Sequence, residues 1–510
     1  MRAPPADRPG AGQPLPARPA PGVVRPWIGW CLVTFGLWNS CASHAGARWS
    51  EGLLASGKYP RTPAFAIAAL RGAGTDDGDP SRYLAYASAV LGRPYQGFYV
   101  RPVEGWTGPQ PERPADPDDP QETPPVRPGR PLVPYRDFSV EYPPGFFLLA
   151  LPPALPGLGL DGYRTLFSLL MGLLLTGALL AAVRMGRVLR PLGPPSPVAL
   201  ATVLVLALGT ITVRRFDAIV ALALCVFVDG CLTRRPVRAG VALGVGLLTK
   251  LVPVLLVPLG VVHWAAGRRW RELGTAAGVS GLVVLAVGVP FLLLAGDHLF
   301  DPLRYHAWRP LEVESTGAAL LTLGRWIDPA SAHRVEGFGF DNVVGPADRF
   351  LLPLATVGPL LAAGGILLWS VVQTRRARAS PDGERLSGEI LLRGCCATLA
   401  ASMALGKVFS AQYLTWLLPA GALVCLLDTG RRRRVGVALL AGAMLLTQLD
   451  QHVFYGIWGK GPEPIMGLLF LLRNALVMVW AAWILRSPVR RSGASAAPQS
   501  RTHRSCVRER

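Results

Sequence analysis

The chain has 510 residues, of which 51% are hydrophobic and only 16% charged, where a soluble globular protein carries about 25% charged residues. Its mean hydropathy is +0.34; apolar runs of about 16–22 residues recur, close to the length that crosses a bilayer as a helix. Together these exclude a soluble enzyme, a disordered chain, a disulfide scaffold and, for want of short alternating strands, an outer-membrane barrel.

The formal charge is +20, from 52 Lys+Arg against 32 Asp+Glu. Most of the excess lies in short loops between apolar runs. That is the positive-inside pattern, and it argues against a nucleic-acid partner. The eight cysteines show neither a disulfide framework nor zinc-ligand spacing. The expected fold class is therefore an all-α polytopic membrane protein.

In chain order, residues 1–26 read as a disordered cytosolic tail and Trp27–Ser43 as a first span. A long external loop follows, at about 44–161. From His44 to Pro144 it holds eleven basic and twelve acidic residues, so it has no positive excess and is placed outside. Spans are predicted at about 162–183, 197–213 and 216–233, with arginines alternating inside and outside between them. The run 239–266 contains Lys250, Pro253 and Pro258. It reads as a broken helical hairpin, because the arginines at 268, 269 and 271 must return to the inside. Further spans are predicted at about 274–295, 349–373, 388–406, 409–428, 435–450 and 464–486, with a second external loop at about 296–348. The membrane domain thus covers 27–486, and 487–510 form a second disordered basic cytosolic tail. Roughly ten to twelve crossings result, with both termini cytosolic and the plasma membrane as the expected location.

Three outer segments concentrate polar residues. The first is Val133–Gly145, with Arg136, Asp137, Glu141 and Tyr142. Pro143 and Pro144 force extended geometry there, and a carboxylate shielded by apolar neighbours suits a general base. The second is Arg304–Ser315, where Tyr305, His306, Arg309 and Glu314 offer a guanidinium and an imidazole for a phosphate. The third is Gly406–Trp416, with Lys407, Gln412 and Tyr413. Near the spans, Arg215 and Asp217 read as an outer turn in which the acid pairs with Arg214 and Arg215. Asp229 reads as a solvated acid at the inner end, and Lys250 as a cation at the hairpin break.

These blocks carry a resemblance. Pro134-Tyr-Arg-Asp-Phe138 with Glu141-Tyr-Pro-Pro-Gly145 resembles the first external loop of glycosyltransferase family 87. Arg215-Phe-Asp217, Lys250-Leu-Val-Pro253, Tyr305-His306 with Arg309 and Glu314-Ser315, and Lys407 to Tyr413 resemble later blocks of the same group. Most of residues 130–480 is covered in order; 44–130 and the tails are not. The resemblance implies the C-type glycosyltransferase fold. It also implies transfer of a sugar, mannose in first place, from a polyprenyl-phosphate donor on the extracytoplasmic face with inversion. The acceptor would be an envelope glycolipid, a glycan or a protein. It further implies Asp137 as base with Glu141 second, although this chain lacks the acidic pair directly after the first span that some C-type relatives carry. Arg309, His306, Lys250 and Lys407 would bind the donor phosphate. Arg136, Tyr142, Arg215, Asp217, Tyr305, Glu314, Gln412 and Tyr413 would contact substrate. No cofactor and no metal is expected; membrane lipids are the surroundings. The competing readings are a transporter or lipid flippase and a non-catalytic partner in an envelope complex.

Overall fold

The computed structural model describes residues 78–94, 130–191, 193, 196–337, 340–450 and 464–486. The predicted first span Trp27–Ser43, both tails and the Pro-rich centre of the first loop lie outside the described residues.

The helices in chain order begin with α1 (Gly78–Val90), α2 (Phe147–Ala154), α3 (Gly159–Leu189), α4 (Val198–Leu208) and the single turn α5 (Ile211–Arg214). Next come α6 (Ala218–Leu232), α7 (Pro236–Thr249), α8 (Val257–Ala266), α9 (Trp270–Ala295) and α10 (Asp301–Trp308). After a small sheet the chain continues as α11 (Thr316–Gly324), α12 (Asp348–Ala377), α13 (Gly383–Leu405), α14 (Leu418–Leu427), α15 (Gly430–Leu449) and α16 (Pro464–Arg486). Among the described residues, five stretches are long and apolar enough to cross a membrane: α3, Trp270–Trp308, α12, α13 and α16. The all-α polytopic reading of the sequence therefore stands.

Several predicted spans are shorter than expected, and the causes are local. Helix α4 stops after 11 residues at Gly209, whose φ of +80° is open to glycine. Helix α7 stops after 14 residues because Lys250 is extended, with φ −157° and ψ 131°. A 3₁₀ turn, Val252–Leu256, follows with Pro253 in its first turn, and α8 then runs back. The return is visible in the side chains. Arg269, just after α8, donates to the carbonyl of Cys231 at 3.4 Å and sits 3.5 Å from Glu384, which Arg234 also holds at 3.0 Å. Lys250 at the other end meets Asp217, which directly precedes α6. The run 239–266 is thus a broken hairpin.

The arginine-rich end is closed by a buried ionic network. Asp229 is fully buried rather than solvated, held by Arg184 at 2.6 Å and Arg238 at 2.9 Å. Arg393 pairs with Glu389 at 2.9 Å and Asp428 at 2.8 Å. A carboxylate left unpaired in that setting costs several kcal/mol, so the arginines pull it into the bundle.

At the opposite end the chain between α9 and α12 builds a small antiparallel sheet, in the order β1 (Leu311–Glu312), β3 (Phe340–Val344), β2 (His333–Gly337). Periodicity in the second loop is too short to announce it. Ser315 caps α11 by accepting from the Ala318 N–H, and α11 packs on α12 and α16. Aromatic rings of α1, the Pro144–Phe146 turn and Phe216 pack edge to face: Tyr83 lies 5.2 Å from Phe146 and 5.7 Å from Phe216. This seam fixes the first outer segment against the start of α6.

Candidate functional site

Helix α1 starts the site. Asp79, Arg82 and Tyr83 are three and four apart and share one face. Asp79 is 6% exposed. Arg215 binds it at 2.9 Å, Arg82 lies 3.9 Å away and the Tyr83 hydroxyl donates to it at 3.3 Å. Burial alone would push the Asp79 pKa up, but Arg215 and then Arg82 outweigh it and hold the carboxyl below its usual range. Arg82 also donates to Glu141 at 2.7 Å. Burial pushes the Glu141 pKa up, against the opposing pull of Arg82. One guanidinium therefore bridges two carboxyl groups with opposite tendencies.

Glu141 is placed by the turn that follows it. Gly145 sits so close to α7 that a Cβ there would lie 2.7 Å from the backbone of Leu248. The Tyr142 ring packs on Phe146 at 4.7 Å and on Phe216 at 4.9 Å, and its carbonyl accepts from the Tyr135 hydroxyl at 2.5 Å.

A second group surrounds the hairpin break. Lys250 Nζ donates to Asp217 Oδ1 at 2.6 Å and lies over the rings of Tyr413 (4.3 Å), Phe216 (5.1 Å) and Trp416 (5.1 Å). Tyr413 stacks on Trp416 at 4.4 Å. Asp217 is therefore the partner of Lys250, while Arg215 goes to Asp79; the expected Arg215–Asp217 pairing is corrected. The lysine is 33 residues away in sequence, which hides the pairing from local reading.

The second outer segment closes over these groups. Tyr305 is buried and its ring meets that of His306 at 5.1 Å, while His306 itself is exposed. Arg309 is buried, 3.9 Å from Glu312. Arg309, Lys250 and Lys407 all act electrostatically on His306, Lys250 acts on Asp79, and Arg309 acts on Glu141. The cations and the acids thus belong to one site. Lys407 Nζ donates to the Ala307 carbonyl at 2.8 Å, at the C-terminal end of α10. Glu312 accepts from the Phe409 N–H at 2.8 Å and from the Ser410 hydroxyl at 2.5 Å. Glu314 is tied to α16 by Arg473 at 2.5 Å. Gln412 is buried in the 3₁₀ turn Ala411–Leu417.

The predicted residues thus divide. Glu141, Tyr142, Arg215, Asp217, Lys250, Tyr305, His306, Arg309, Lys407 and Tyr413 meet around one centre. Glu314 stands behind it as an anchor. Asp137 and Arg136 stand apart. Arg136 is 44% exposed and binds Asp137 at 2.9 Å, and the other Asp137 oxygen accepts from the Val133 N–H at 2.8 Å. The Arg136 hydrogen bond, chiefly, holds the Asp137 carboxyl below its usual range against a small opposing effect of burial. Sequence reasoning missed Asp79, Arg82, Trp416 and Arg473. The signal for the first two was present: Gly78-Asp-Pro80 is a helix start with its acid in the first turn, and Arg82 lies one turn on. Among the described residues no grouping of His, Cys, Asp and Glu would hold a metal.

No curated protein matches the chain. The sequence model described as Glycosyltransferase family 87 matches residues 140–381, just under half of the chain. That stretch contains Glu141, Arg215, Asp217, Lys250, His306, Arg309 and Glu312. The match takes in Glu141, Lys250, His306 and Arg309 but not Asp79, Arg82, Lys407 or Tyr413; over that stretch the chain is similar to family 87, which makes it a glycosyltransferase.

Proposed function

We propose that the enzyme transfers a sugar, mannose in first place, from a polyprenyl-phosphate donor to a hydroxyl of an envelope glycolipid, glycan or protein. The reaction inverts the anomeric carbon and runs on the extracytoplasmic face of the plasma membrane, with both termini cytosolic. The observation that carries this reading is the meeting of an acid pair, Asp79 and Glu141, with three cations, Lys250, Arg309 and Lys407, and the neutral imidazole of His306, at one end of an apolar helix bundle. The outward faces of α9 and α12, where Leu282, Leu293, Leu354 and Leu361 are exposed, suit the bilayer in which such a donor resides.

In this reading Asp79 is the base. It is ionised, buried and held by Arg215, whereas both Asp137 oxygens are already committed at the surface. The acceptor oxygen forms a bond to the anomeric carbon as the bond from that carbon to the phosphate oxygen breaks. The hydroxyl proton passes to Asp79, and the electron pair leaves with the polyprenyl phosphate. The transition state is oxocarbenium-like, so positive charge grows at the anomeric carbon as the phosphate leaves. Arg309, His306, Lys250 and Lys407 stabilise the charge that grows on the phosphate. Arg82 couples Glu141 to Asp79 and keeps the pair oriented.

The test is transfer by membranes containing the protein, from labelled polyprenyl-phosphate-mannose and, in parallel, polyprenyl-phosphate-glucose. An envelope lipid extract and an envelope protein fraction serve as acceptors. Label moving from the mannosyl lipid supports the reading. Transfer from a nucleotide sugar alone overturns the donor class.

A further inference from the structure

Asp217 is 1% exposed, yet it precedes α6 in the middle of the site. One oxygen, Oδ1, accepts both from Lys250 Nζ at 2.6 Å and from the indole N–H of Trp416 at 2.6 Å. That indole ring also lies under the same ammonium, with Tyr413 and Phe216. An ammonium has three N–H donors. Asp217 takes one, and among the described residues no second oxygen takes a hydrogen bond from Lys250. The other titratable groups that it acts on are the Asp79 carboxylate and the neutral imidazole of His306. A donor therefore remains for an incoming anion, while the carboxylate behind it offsets part of the ammonium charge.

We infer that Asp217 is a positioning residue and not a sugar contact: it holds Lys250 in its aromatic cage and, by its charge, limits how firmly Lys250 grips the lipid phosphate. The inference rests on the proposal that Lys250 meets the donor phosphate. The consequence concerns release. The donor is a phosphodiester with one negative charge, whereas the departing polyprenyl phosphate is a monoester carrying about −1.5 to −2. A full, uncompensated cation would hold the product more tightly than the donor. Asp217 shifts that balance toward release and makes or breaks no bond itself.

The experiment measures inhibition of transfer by added polyprenyl phosphate, together with kcat and donor KM, for wild type, Asp217→Asn, Asp217→Glu, Trp416→Phe and Lys250→Met. Asparagine keeps an acceptor for both donors and removes only the charge. The expected result is a product inhibition constant about threefold lower or more, with a lower kcat and a donor KM that moves less. Glutamate restores release. Trp416→Phe frees Asp217 of its second bond and leaves its whole charge facing Lys250, so it weakens product inhibition, opposite to the asparagine variant, and it serves where that variant does not fold. Unchanged product inhibition in Asp217→Asn, or in Trp416→Phe where that variant stands in, overturns the inference, as does a raised donor KM alone. Lys250→Met separates the two layers: if it leaves inhibition by polyprenyl phosphate unchanged, the phosphate does not sit at Lys250 and the proposed donor site itself fails.

Discussion

Replacing Arg473 by methionine removes the residue that ties the second outer segment to the bundle. Arg473 is 1% exposed within α16. It donates to Glu314 Oε2 at 2.5 Å, to the Glu314 carbonyl at 2.9 Å, to the Phe409 carbonyl at 3.1 Å and to Asn474 Oδ1 at 2.9 Å. Its guanidinium also lies 4.2 Å from the Phe409 ring. Methionine fills similar volume and supplies none of these donors, so a carboxylate and two carbonyls stay buried with less compensation. Breaking such a pair from one side costs about 3–5 kcal/mol. Adding Glu314→Gln removes the stranded charge, and the coupling between the two changes is expected at about 1.5 kcal/mol or more. The assay is thermal or denaturant unfolding of the purified protein in a fixed detergent, over the full double-mutant cycle. A single variant that unfolds with the wild type, or a double variant with purely additive loss, would refute the reasoning.

Three further outcomes follow from the site. Gly145→Ala places a methyl group 2.7 Å from the Leu248 backbone; an overpacking cost of about 1–3 kcal/mol is expected, with transfer reduced because Glu141 and Lys250 flank that contact. Glu141 binds its proton more tightly in the fold than in the unfolded chain, because burial outweighs Arg82. Its contribution to stability is thus full below the unfolded pKa and is lost as pH rises through the folded one; Glu141→Gln should flatten that slope in melting curves and remove the matching step from the pH profile of transfer. Asp137→Asn should leave transfer within about twofold of wild type, as expected for an exposed ion pair outside the site; a large loss, with unfolding unchanged, would return Asp137 to the mechanism.

What the sequence discloses of this fold depends on how local the cause is. The apolar runs disclose the long helices, and Lys250 with Pro253 discloses the break, because each acts within a turn or two of its own position. The ends of the short helices are harder. Gly209 stops α4 in the middle of a predicted span, where nothing in hydropathy changes. Pairings between distant elements are invisible to local reading. Asp229 looks solvated until Arg184 and Arg238 close on it, and Asp217 looks served by its neighbours until Lys250 arrives from the hairpin. The acid of the proposed mechanism escapes local reading for the same reason. Asp137 sits in the more conspicuous motif, but Asp79 is the carboxylate that the fold carries to Arg215 and buries.

The central claim is that Asp79 removes the acceptor proton in transfer from a lipid-linked sugar. Its most direct test is single-turnover transfer from polyprenyl-phosphate-mannose by purified wild type and Asp79→Asn, with donor binding and unfolding measured on the same samples. The account predicts a loss of about 100-fold or more in the transfer step, with donor binding retained. Transfer by Asp79→Asn at the wild-type rate would contradict it.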